Sequence, residues 1–140
     1  MATQKTEVTS LDMAQFALDI GSFYETMSGK IGDFLLEHSR DLSDHDYAVL
    51  SDDQLSLISY SNSFLTLAID ITFEGATSYF IAVKNATTEI SDAVDHIQSV
   101  NDIISITAGL VGIAAGILNE NGPLIATSLA AIIKTITPDN

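Results

Sequence analysis

Two imidazoles and three carboxylates fall within the segment 38–46, as His38, Asp41, Asp44, His45 and Asp46. That donor set suits zinc and similar ions. The spacing, however, matches no zinc pattern, and Asp44-His45-Asp46 does not begin an EF-hand loop, so the segment reads as a polar, solvated turn. Asp92 and His96 stand four positions apart, where a helix brings them together and a carboxylate would raise the imidazole's basicity. An ordinary surface pair is the simpler reading. Di-iron bundles require several glutamates with Glu-x-x-His motifs, which are missing from this sequence. It also has no G-x-S-x-G, no phosphate loop and no dinucleotide fingerprint, and no serine is tied by motif to a histidine. Asn85-Ala86-Thr87 fits a glycosylation acceptor as chance would produce one. No catalytic residue, metal site or cofactor is expected, and the chain reads as non-enzymatic.

Composition narrows the partners. Five basic residues stand against nineteen acidic ones, a net charge of −14. Binding a phosphate backbone depends on Lys and Arg displacing counterions, so nucleic acid is excluded as a direct partner and anionic membrane surfaces are disfavoured. The absence of cysteine removes disulfides, thiol nucleophiles and thiolate metal sites. The charge is uneven: residues 1–102 carry seventeen acids and four bases, residues 103–140 two acids and one base. The start MATQKTEVTSLDM has no basic stretch leading into an apolar run, so the expectation is a cytoplasmic protein, with leaderless export as the other route.

The elements that must position these residues are helical. With 140 residues, 46% of them hydrophobic, one domain with a sizeable core is expected, after a frayed polar lead over 1–9. Met13, Ala17, Ile20, Tyr24, Met27, Ile31, Phe34 and His38 recur at alternating spacings of four and three, the seam of a helix pair, and Phe16, Phe23 and Leu35 widen it. A connection is expected over 39–53, with a second helix capped by Ser51 and carrying Leu57, Tyr60, Phe64, Leu67 and Ile71 inward. LTLAIDITF (65–73) and TSYFIAV (77–83) also fit a β-hairpin, so an α+β alternative stands for 64–83; an isolated hairpin with open edges makes it the lesser one. A third helix is expected from Thr88 through Ile90, Val94, Ile97, Asn101, Ile104 and Ala108 to Asn119. Asn121 or Gly122 suits a left-handed cap, and Pro123 opens the last helix, which ends before Pro138. The expected fold is an all-α, four-helix bundle with an apolar helical hairpin over 103–137.

That hairpin is the sharpest feature, with only Glu120 and Lys134 charged between Ile103 and Thr137. The sixteen uncharged residues between Asp102 and Asn119 make about 24 Å of helix, short of a hydrocarbon core of about 30 Å, so length favours a protein core. Small residues at Ala108, Gly112 and Gly116, opposite Ala126 and Ala130, predict close packing of arm on arm. Leu110, Val111, Ile113, Ile117 and Leu118 on the first arm, with Leu124, Leu129, Ile132 and Ile133 on the second, are then expected to face a partner or lipid. So much apolar surface in a small chain points to self-association.

Long amphipathic helices beside the Gly- and Ala-rich GLVGIAAGIL resemble the α-helical pore-forming toxins of the cytolysin A type. The resemblance covers under a third of the chain and carries no diagnostic motif; this chain is also much shorter than those toxins. It implies a hydrophobic segment sheltered in the soluble form and released toward lipid. Three functions are therefore expected in order: a homo-oligomeric protein acting through protein–protein contacts, a membrane-active helical protein, and an acidic inhibitor or immunity-type protein covering a basic partner.

Overall fold

The computed structural model describes residues 10–66, 76–97 and 99–137. Five helices occupy them: α1 (Ser10–Glu37), α2 (Asp44–Thr66), α3 (Ala76–His96), α4 (Val100–Leu118) and α5 (Gly122–Ile136). No strand occurs among the described residues. The fold is all-α and bundle-like, with five described helices where four were expected.

The α1 seam is built as its spacing requires. Ala17, Ile20, Tyr24, Met27, Ile31 and Phe34 are buried, joined by Phe16 and Leu35, and Phe23 packs at the edge. α2 runs back antiparallel along it, with Leu50, Leu57 and Phe64 in the same core. Two long-range hydrogen bonds set that register. The Ser61 hydroxyl donates to the Gly21 carbonyl oxygen at 2.8 Å, and the Gln54 side-chain amide donates to the Ser28 carbonyl oxygen at 3.0 Å. Tyr24 meets Phe64 edge-on, ring centroids 5.7 Å apart, an arrangement worth about 1 kcal/mol beyond its area.

The cap of α2 lies eight residues before the expected one at Ser51. Ser43 is the true start: its hydroxyl accepts the Asp46 amide N–H at 3.0 Å, and Asp44 and Asp46 sit in the first turn, facing the positive end of the helix dipole. The connection is therefore confined to 38–43.

The hairpin alternative for 64–83 is overturned where the chain is described. Residues 64–66 close α2 and 77–83 lie inside α3; 67–75 lie outside the described residues, as do the expected inward positions Leu67 and Ile71. Helical spacing explains the outcome: Val83, Ala86, Ile90 and Val94 are buried as one stripe of α3, which a strand's alternation would have split between two faces.

The third expected helix is interrupted. α3 ends at His96, and Ser99, in extended conformation, caps α4 by accepting the Asp102 N–H. The break changes which face is inside. Before it, Ile90 and Val94 are buried; after it, in the continuation of their spacing, Asn101 and Ala108 are exposed and Ile104 is half-buried at the core's edge, and Ile103, Ile106, Leu110, Ile113 and Ile117 become core.

Candidate functional site

The titratable residues of the first connection serve the fold. His38 stacks on Phe34 with centroids 4.2 Å apart, and its Nδ1 lies 3.6 Å from an Asp41 carboxylate oxygen. Asp44 and Asp46 belong to the start of α2, and His45 is exposed. Among the described residues no three His, Asp or Glu side chains converge as a metal site would require. On α3, the His96 ring nitrogen pairs with the Asp92 backbone carbonyl at 2.8 Å, rather than with its carboxylate.

The α4–α5 turn is built from local chemistry. The Asn121 N–H donates to the Gly116 carbonyl at 2.8 Å and the Glu120 N–H to the Ile117 carbonyl at 3.3 Å, the paired bonds of a Schellman motif. The residue held in the left-handed conformation is Glu120, at φ 56°, where Asn121 or Gly122 had been expected. Asn121 instead caps α5, its side chain accepting the Leu124 N–H at 3.1 Å. Gly122 is required elsewhere, because a Cβ there would run into the Tyr79 ring.

The arms pack closely, through a different register from the expected one. Gly109, Gly112 and Gly116 face α5: a Cβ on Gly109 would collide with Ile132, one on Gly112 with the Ser128 hydroxyl, and one on Gly116 would lie 2.6 Å from Ile125 Cγ1. The opposing face is thus Ile125, Ser128 and Ile132. Ala108, Ala126 and Ala130, expected in the contact, are exposed. A strict four-residue step drifts around a helix of 3.6 residues per turn, whereas the alternation 109, 112, 116 stays on one side.

The residues expected to face a partner divide accordingly. Leu110, Ile113, Ile117 and Ile132 are buried by the chain itself, which corrects their outward assignment: α2 packs along α4, the Tyr24 hydroxyl of α1 reaches the Leu110 carbonyl, and Ile132 of α5 lies against Gly109. Val111, Leu124, Leu129 and Ile133 are half-buried, and Leu118 is 38% exposed.

α4 therefore has three faces. One enters the core, one meets α5, and the third, formed by Ile104, Ala108, Val111, Ala115 and Leu118, is left half-buried or exposed. Those five recur at spacings of four, three, four and three, and no charge occurs between Ile103 and Leu118. Charged side chains on the other helices include the Lys30–Asp95 ion pair between α1 and α3 and the neighbouring carboxylates Asp52 and Asp53 on α2. Burial and the charge of Asp52 push the Asp53 carboxyl above the usual carboxylate range. Sequence reasoning missed this third face because it sorted the apolar residues by length of run rather than by the break at 97–99. The signal available was Ser99-Val100-Asn101-Asp102, a helix-start pattern inside an apparently continuous seam.

Comparison with protein-family profiles, with curated proteins and with solved structures gives no match.

Proposed function

We propose that the chain is a non-enzymatic helical-bundle protein that acts through protein–protein contact, and that its first partner is a second copy of itself, met along the open face of α4. One observation carries the reading: Ile104, Ala108, Val111, Ala115 and Leu118 continue a heptad spacing along a face of α4 that stays half-buried or exposed among the described residues. Electrostatics selects the partner. Two molecules of charge −14 repel one another over most of their surfaces, and an uncharged helix face is where like copies approach at least cost. Alanines at 108 and 115 admit a close backbone approach. Static light scattering over a concentration series tests this. The wild type is expected to associate, and Val111→Glu is expected to be a folded monomer. A wild type that stays monomeric at every concentration ends the reading.

A second reading rests on the same helix. α4 spans 19 residues, about 28 Å at the helical rise, and among the described residues it is the one helix long and apolar enough to cross a membrane. The helix includes the charged Asp102, and its uncharged part, 103–118, is about 24 Å long. The core side opposes this use, since release would expose Ile103, Ile106, Leu110, Ile113 and Ile117 together. Dye release from neutral vesicles at pH 7 and pH 5 discriminates: leakage favours the membrane reading, and intact vesicles with a self-associating protein favour the first.

A further inference from the structure

Away from the open face of α4, a groove of about 550 Å³ lies between α3 and α5. Its size falls in the ordinary range for small-molecule sites, about 300–1,000 Å³. Ala82 of α3 and Ala126, Leu129, Ala130 and Ile133 of α5 line its length. Tyr79 stands at the start of α5, held over Gly122, whose missing Cβ makes the space. Lys134 and Thr137 lie at the other end, about 18 Å along the helix from Gly122. The two ends differ in chemistry. Lys134 is the charged residue of the lining, one of five bases in the chain, and it has no acidic partner among the described residues. Thr137 adds a hydroxyl one turn further on. Among the described residues no Asp or Glu lines the groove.

We propose that the α3–α5 groove binds one long-chain carboxylate, with its alkyl chain along Ala126, Leu129, Ala130 and Ile133 and its carboxylate on Lys134. The apolar walls match an alkyl chain, and a lone ammonium at one end matches an anionic head in position and in sign. The overall charge of −14 does not forbid an anion here, because residues 103–137 carry only Glu120 and Lys134, and charges farther than about 8 Å are largely screened at physiological ionic strength. A free fatty acid is the occupant, since the described lining is apolar apart from Thr137 and one cation, Lys134, at its end.

The test uses dodecanoate below its micelle concentration and 1-dodecanol as the uncharged counterpart, titrated calorimetrically into the full chain, with intermolecular nuclear Overhauser effects locating the ligand. Dodecanoate is expected to saturate at one per chain and to contact the Ala126 and Ala130 methyls. Lys134→Met is expected to weaken dodecanoate about tenfold, the scale of one charge-assisted hydrogen bond, and to leave dodecanol unchanged. Ala130→Phe, which fills the groove from an exposed position, is expected to abolish both. Val111→Glu, outside the groove, is expected to bind as the wild type does, so failure of self-association and failure of the ligand site are read separately. Absence of saturable binding overturns the proposal, as does equal response of both ligands to Lys134→Met. Retention only by phosphatidylglycerol vesicles, with no binding of free dodecanoate, overturns it as well.

Discussion

The Tyr24 hydroxyl donates a hydrogen bond to the Leu110 carbonyl oxygen at 2.5 Å, across 86 positions of sequence. Tyr24 is fully buried, and burial pushes its phenol well above the ordinary tyrosine range, which keeps it a neutral donor. The bond fixes the rotation of α4 against α1. With Leu110 held inward, Val111, one position on, lies half-buried at the edge of the core. Tyr24→Phe keeps the ring and removes the donor, and is expected to cost about 1 kcal/mol in urea unfolding. Tyr24→Ala also leaves a cavity and is expected to cost about 3–5 kcal/mol.

Neighbours on α4 should then respond differently. Leu110→Ala is expected to lose about 2–5 kcal/mol, as buried leucines do, and Val111→Ala less than about 1.5 kcal/mol. Thermal unfolding of dilute protein, where association does not contribute, checks the contrast. Equal losses would mean that both residues are core and that α4 has no open face.

The hairpin contact makes a prediction of coupling. Gly112→Ala places a Cβ against the Ser128 hydroxyl and is expected to cost about 1–3 kcal/mol by overpacking. Ser128→Gly removes the obstacle, so the double variant is expected to recover part of that loss, and the double-mutant cycle to show coupling above about 0.5 kcal/mol. Additive losses would place the arms in another register.

Glu120 holds a left-handed conformation at the negative end of α4. Left-handed backbone costs a non-glycine residue about 1–2 kcal/mol, and a glutamate there also opposes the helix dipole. Glycine loses more freedom on folding, which returns part of the gain, so Glu120→Gly is expected to stabilise by about 0.5–1 kcal/mol in thermal unfolding.

The raised Asp53 carboxyl gives the pH dependence a sign. A carboxyl whose folded pKa lies above its unfolded value binds more protons folded than unfolded, so its contribution to stability declines as pH rises through that range. Mutual repulsion of the excess acids acts in the same direction. The melting temperature is expected to rise from pH 7 toward about pH 5, and Asp53→Asn is expected to flatten part of that rise.

How much of this was legible in the sequence depends on the kind of signal. The α1 seam from Ala17 to Phe34 could be read because every member of an unbroken period is buried. The break at 97–99 could not be read from period alone: Ile90, Val94, Ile97, Asn101, Ile104 and Ala108 keep step through it, with no Gly or Pro to mark it. Ser43 and Ser99 carried the missing information, since each starts a helix through its side chain, and a seam-based reading passes over such local caps. The hairpin was recognisable from Gly content and Pro123, yet its register was not. Choosing Ala108, Ala126 and Ala130 treated smallness as the criterion, whereas the contact takes glycine on one arm and the larger Ile125 and Ile132 on the other. The all-α class survived these errors because burial follows helical spacing wherever the helices begin.

The central claim, that copies of the chain meet along the open face of α4, is most directly tested by a single introduced thiol. Val111 is the middle member of the five-residue stripe, so in a parallel or an antiparallel pairing it approaches its own counterpart. The chain has no cysteine of its own, and a disulfide forms only where Cα atoms come within about 7 Å. Val111→Cys is expected to give a covalent dimer under mild oxidation, and Leu36→Cys, on the strongly exposed side of α1, to remain monomeric under the same conditions. A Val111→Cys protein that does not cross-link, or that does so no faster than Leu36→Cys, contradicts the account.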